Sequence, residues 1–220
     1  EMISDRYINQ QMVASRIFVV SDKIKPRGRG RPRAFDRDMA LDQAQALFHA
    51  QGYEGVGVAA LAEAMGINPP SLYAAFGSKT ALYAEVLDRY SRASPLTEPL
   101  AIPGVEPADA LVGLLRKAAC IYAADPATAG CLVLEGERST DADAACRARR
   151  FKDASVQDLH SFIVSTHPDK AEVVADYVAA VMSGLSADAR AGHSTERLTA
   201  VADMAALAIV AIGGGTFLAN

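Results

Sequence analysis

The sequence predicts an all-α protein, with a small helix-turn-helix head followed by a larger helical body. Two observations support this. Aromatic residues are scarce at 6% and Trp is absent, while half of the 220 residues are apolar, with Ala abundant and β-branched runs few. Apolar residues also recur at helical spacing in segments punctuated by Gly and Pro. With 22% charged residues, the composition supports a water-facing surface around a sizeable core.

Residues 1–22 show no sustained period and are read as an extension outside the fold, which a non-native start at Glu1 would explain. Residues 23–35 are interrupted by Gly and Pro and read as an extended arm. From Asp36 a helix carries Ala40, Leu41, Ala44, Leu47 and Phe48 on one face, and Gly52 stops it. A short second helix carries Val58, Leu61, Ala62 and Met65 and ends at Gly66. A third follows Asn68 with Leu72, Tyr73 and Phe76, and Gly77 closes it. The fourth starts at Ser78, carries Leu82, Tyr83, Val86, Leu87 and Tyr90, and stops before Pro95. Prolines 95, 99, 103 and 107 mark a boundary. Beyond it, helices are expected at about 107–124, 126–138, 141–166, 168–191 and 194–212, with Pro107, Pro126 and Pro168 at their starts. The glycines at 213–215 should fray. The domains read from this pattern are an arm at 1–32, a head at 33–93 and a body at 94–220.

Charge is concentrated in one place. Residues 23–37 hold seven basic residues against Asp36 alone, a net +6, while the rest of the chain carries −10. A dense cationic block on an acidic protein is a footprint for a polyanion. The segment Arg27-Gly-Arg29-Gly-Arg31-Pro-Arg33 suits an A·T-rich minor groove, where glycine lets the backbone approach and arginine seeks the negative potential; a nonspecific phosphate tether is the alternative.

The stretch from Val58 to Tyr73 has the features of a DNA-binding helix-turn-helix. Ala62 is small where two helices would cross, and Gly66 tolerates positive φ in the turn. Leu61, Met65, Ile67 and Leu72 supply the inner faces. Asn68 suits the N-cap of the next helix and Pro69 its first position. An ordinary corner of two helices would share some of these features.

These residues resemble the tetracycline-repressor (TetR) family. The resemblance rests on Arg33, Ala44-x-x-Leu47-Phe48, Gly52-Tyr53, Leu61-Ala62-x-x-Met65-Gly66-Ile67, Ser71-Leu72-Tyr73, Phe76 and Ser78-Lys79-x-x-Leu82. A weaker likeness continues at Gly130-Cys131-Leu132, Gly184-Leu185-Ser186 and Ala189 to Gly192. It implies a homodimeric transcriptional regulator, usually a ligand-released repressor, bound to a pseudo-palindromic double-stranded operator. The chain departs from the pattern at Val56-Gly57, where a hydroxyl pair is common, so Gly57 can offer only its backbone. The recognition helix is also short of long polar side chains. Base reading then falls to Ser71, Pro70, Ala74 and Asn68, while Tyr73 and Lys79 match phosphate-contacting positions of the family.

Other chemistry finds little support. No Ser/His/Asp set converges and no phosphate loop is present, so neither an enzyme nor a cofactor is expected. His160 and His167 lie two turns apart but need a third ligand to hold a metal. The three cysteines form no CxxC pair, which fits a reducing compartment. The alternative to ligand release is a thiol- or metal-responsive sensor using Cys120, Cys131 or Cys146, the last flanked by Arg147, Arg149 and Arg150. Tyr90, Cys120, Tyr122 and Cys131 are candidates to line an effector pocket. With no leader and no long apolar run, a cytoplasmic, membrane-free protein is expected. A dimer seam is read from two stripes: Val174, Tyr177, Val178, Val181, Met182 and Leu185, then Leu198, Val201, Ala205, Ala208, Ile209 and Ile212.

Overall fold

A computed structural model of the chain describes residues 35–213, with side chains to residue 211. Among the described residues there are nine α-helices and no strand: α1 (Arg37–Gly55), α2 (Val58–Ala64), α3 (Pro69–Phe76), α4 (Lys79–Ala93), α5 (Pro107–Tyr122), α6 (Leu132–Gly136), α7 (Ala142–Val164), α8 (Ala171–Arg190) and α9 (Thr195–Gly213). Short 3₁₀ turns occupy Pro95–Ala101, Pro126–Thr128 and Pro168–Lys170. No described helix is long and apolar enough to cross a membrane.

Side-chain caps fix the helix starts. Asp36 accepts from the amides of Asp38 (3.0 Å) and Met39 (3.1 Å), Ser78 from Ala81 (3.0 Å), and Asp141 from Ala144 (2.9 Å). Gly52 has φ 72°, as its expected role as a stop requires, but the chain resumes helix to Gly55, so α1 is kinked rather than ended there. In the body, α5 packs along α9 and α7 along α8, while α4 reaches from the head onto α6 and α7.

One hydrophobic core runs through both parts, from Ala40 on α1 to Ile209 on α9. Phe48, Tyr53 and Tyr83 form an aromatic knot within it, with Tyr83 5.0 Å from each of the other two ring centres. Each large side chain buried this way contributes roughly 1.5–3 kcal/mol. The proline-rich boundary therefore does not divide the core.

Two expected helices differ. The span 126–138 is not one helix. A 3₁₀ turn follows Pro126, the chain extends through Ala129–Cys131, and only Leu132–Gly136 is helical. Gly130 causes the break, since its φ of 80° lies outside the right-handed helical region. Its pocket is also tight: an added Cβ would lie 2.9 Å from the Ser186 carbonyl oxygen. Helix α8 begins at Ala171 rather than 168, because Pro168 opens a 3₁₀ turn instead.

Candidate DNA-binding surface and effector cavity

Helices α2 and α3 form the expected corner. Ala62 is buried at 2% exposure and Leu61 and Leu72 at 0%, so the crossing is closed by a small residue between larger ones. Gly66 takes φ 64°, and Ile67 N–H donates to the Ala62 carbonyl at 3.0 Å to finish the turn. Asn68 Oδ1 accepts from Ser71 N–H at 2.9 Å, capping α3. That bond occupies the amide oxygen expected to help read bases and leaves the NH₂ end as its free donor. Gly57 caps α2 without a side-chain hydrogen bond. Pro70, Ser71, Tyr73 and Ala74 are all exposed, with Tyr73 at 48%. They form one outward surface at the start of the recognition helix.

Lys79 starts α4, but its ammonium lies 4.0 Å from the Tyr53 ring centre. Burial lowers its pKa, opposed by Glu54 and Asp141. The other cations of residues 36–93 are already engaged. Arg37 binds both Glu85 oxygens at 2.7 Å, Arg89 pairs with Asp42 at 2.7 Å, and Arg92 with Asp88 at 3.0 Å. The head is thus poor in unpaired positive charge. Arg27, Arg29, Arg31 and Arg33 lie outside the described residues.

The head is tied to the body at both ends of α6. At its start, the buried His49 of α1 is bonded through Nε2 to the Gly130 carbonyl at 3.2 Å, and burial lowers its pKa, keeping it neutral. Arg190 clamps the same corner, donating to the carbonyls of His49 (3.1 Å) and Ala129 (2.9 Å) and pairing with Glu135 at 3.2 Å. Ser186 Oγ accepts from the Cys131 amide at 2.9 Å. Just past the other end, Glu54 Oε1 accepts from Ser139 Oγ (2.5 Å), Thr140 N–H (2.6 Å), Thr140 Oγ1 (3.1 Å) and Asp141 N–H (3.2 Å). Led by the Ser139 hydroxyl bond, these hold its carboxyl down to about 2. Neither tie was legible in the sequence, because both join residues more than 80 positions apart.

A cavity of about 140 Å³ opens between α4, the 95–101 turn, α5, α6, α7 and α8. Tyr90 and Tyr122 line it. Cys131 is buried and its thiol neighbours both tyrosine hydroxyls, but it does not itself line the cavity. Cys120 is a correction. It is exposed, because two residues of helix turn it about 200° from Tyr122, onto the opposite face of α5. Cys146 is exposed as well, and its flanking arginines point to solvent. No cluster of three or more His, Cys, Asp or Glu that could hold a metal occurs among the described residues. Neither the thiol nor the metal alternative is supported. The sequence reading missed Leu96, Leu100, Leu114, Val133, Leu134 and Leu159, which form the apolar wall. As leucines and valines at helical spacing, they carry no signal separating a cavity lining from a core.

The expected dimer seam also needs correction. Val174, Val178, Leu185, Leu198, Ala205 and Ile209 are buried within the single chain and have no surface left to cover. Met182 lines the cavity instead. Tyr177, Val181 and Ala208 are half-buried, Val201 is exposed, and Ile212 lies outside the described side chains. The outward apolar surface is Val173 on α8 with Val201, Met204, Leu207 and Val210 on α9, the last four 43–68% exposed. Both α8 and α9 are apolar on more than one side, and hydropathy alone does not say which side meets the chain's own core.

The comparisons agree with this geometry. The family model described as bacterial regulatory proteins, tetR family, matches residues 40–86, which hold most of α1, the corner and the start of α4. The HTH-type transcriptional repressor BdcR of Escherichia coli (strain K12) is 44% identical over 185 residues, covering 83% of this chain and 93% of the relative. ComR, an HTH-type transcriptional repressor of the same organism, is 31% identical over 188 residues, covering 80% and 90%. Among solved structures, a cysteine mutant of the TetR family transcriptional regulator CifR, complexed with 26-base-pair double-strand operator DNA, superposes with TM-score 0.72 at 35% identity, covering 81% of this chain and 99% of that one. On this likeness and on the corner built by α2 and α3, the chain belongs to the TetR family of bacterial transcriptional regulators, whose members are regulators and not enzymes.

Proposed function

We propose that the protein is a homodimeric, ligand-released repressor that binds a pseudo-palindromic operator through α3 of each copy. The observation that carries this reading is the exposed start of α3, where Pro70, Ser71, Tyr73 and Ala74 share one surface on a rigidly capped corner. Ser71 reads a base edge, Pro70 and Ala74 meet thymine methyl groups, and the Asn68 NH₂ is available as a donor. Tyr73, Lys79 and the Gly57 backbone contact phosphates. The CifR complex with operator DNA lends this docking its plausibility.

Dimerisation places Val173, Val201, Met204, Leu207 and Val210 against the same residues of a second copy, which would cover an apolar surface otherwise left in water. Effector binding in the cavity would shift α6, whose flanks are held to α1 by His49 and Glu54, and so reposition the head. Selection of bound sequences from a random duplex pool tests the reading. Two inverted half-sites, a helical turn or a multiple apart, are expected. Retention of duplexes with no enriched sequence would overturn it.

A further inference from the structure

We propose that the occupant of the cavity is an elongated amphipath, whose apolar end lies inside and whose polar end emerges into the groove between α7 and α8. This rests on reading the cavity as the effector site and adds the chemical class of its occupant and the side on which it enters.

Two spaces adjoin in the body. Besides the cavity, a groove of about 630 Å³ runs along the surface between α7 and α8. Lys152, Val156 and Ala179 border both spaces and so form the partition between them. Lys152 and Val156 are one helical turn apart on the same face of α7, and Ala179 completes the partition from α8. A valine, a flexible lysine stem and an alanine leave little to shut the passage.

Size and chemistry divide between the two spaces. The cavity, at about 140 Å³, accommodates about six to eight non-hydrogen atoms, since an apolar cavity of roughly 150 Å³ admits benzene. A longer molecule has to leave the cavity, and the groove has the room to receive it. Leu100, Leu114, Leu134 and Leu159 line the cavity. The groove is edged instead by Asp153, Gln157 and His160 on α7 and by Glu172, Asp176 and Ser183 on α8. Asp153, Gln157, Glu172 and Asp176 are exposed, so a polar group there keeps its water while the apolar end loses its own.

A second polar edge of the cavity, at Ser94, Thr97, Ser155 and Asp158, is the competing exit. Two features favour the groove. It gives the polar end a walled space, and Lys152 at its throat pairs with Glu137, the C-cap of α6, at 2.8 Å. An occupant that passes Lys152 touches a side chain bound to the element that is tied to the head.

Calorimetry on the full chain tests this with three probes: toluene, 4-phenyl-1-butanol and 4-(4-hydroxybutyl)phenol. Toluene fills the cavity alone. The second probe adds a chain and a hydroxyl that reach the groove, and the third adds a hydroxyl at the buried end. The third should bind about tenfold more weakly than the second, because its extra hydroxyl leaves water for an apolar wall. Gln157→Trp fills the groove without altering the cavity lining, and should weaken 4-phenyl-1-butanol about tenfold relative to toluene. Ser155→Trp, at the competing edge, should leave that ratio unchanged. Both variants replace exposed residues, and the toluene affinity of each reports whether the cavity is intact. A ratio unchanged in Gln157→Trp overturns the proposal. So does a ratio that falls in Ser155→Trp, equal binding of the third probe, or no binding of 4-phenyl-1-butanol at millimolar concentration. Groove-dependent binding that leaves operator affinity unchanged by gel shift would uphold the ligand class and refute the regulatory reading of the cavity.

Discussion

Replacing Glu54 with alanine tests whether one carboxylate oxygen fastens the α6–α7 turn to the head. Four donors converge on that oxygen, and its carboxyl sits at about 2 against an ordinary 4.5. Fully insulated, such a depression would correspond to roughly 3 kcal/mol. Glu54 is exposed, so water and salt screen it, and about 1 kcal/mol is the reasonable expectation. Glu54→Gln keeps an accepting oxygen and loses only the charge, so it should cost less than Glu54→Ala. The pH dependence has a definite sign. The native carboxyl is depressed, so its stabilisation is fully present above about pH 4.5 and is lost as pH falls through about 2. Urea unfolding at one fixed protein concentration, followed by circular dichroism, should show a constant gap between wild type and Glu54→Gln from pH 8 to 5. Below pH 5 the gap should narrow. Alanine should also weaken operator binding several-fold while leaving the dimer intact, because the head loses one of its two ties. A variant as stable as wild type at pH 7, or a gap that ignores pH, would refute the latch.

Met204→Glu should produce monomers by light scattering, with dimer affinity reduced about 100-fold or more, since it sets an unpaired charge in the apolar face. Met182→Glu should leave the dimer and disturb the cavity; the opposite pattern would restore the seam read from hydropathy. Deleting residues 1–33 should flatten the salt dependence of operator binding by about 3 to 4 in log–log slope, one phosphate for each of Arg27, Arg29, Arg31 and Arg33. A loss equal on A·T-rich and G·C-rich flanks would reduce the arm to a nonspecific tether. Lys79→Ala should flatten the slope by about 0.9, and Ser71→Ala should change sequence preference instead, each read by gel shift across a salt series.

The sequence by itself determined the local features. The DNA-binding corner was legible because every part of it lies within about twenty residues: Ala62 at the crossing, Gly66 in the turn, Asn68 as cap and Leu72 beneath. Helix starts at Asp36, Ser78 and Asp141 follow from side chains that cap amides two or three residues ahead, a preference each residue type carries anywhere. The expected helix at 126–138 ran through Gly130 because a single glycine weakens a helix without forbidding it. The left-handed backbone there is held by Arg190 and Ser186, which reach it from α8. Tertiary structure alone decided which of two apolar faces on α8 and α9 turned inward, since burial against α5 and burial against a second copy call for the same residues. It also decided that Tyr122 would line a cavity while Cys120, two positions away, faced water. It likewise brought His49 to Gly130 and Glu54 to Thr140, contacts that exist only once the chain has folded back on itself.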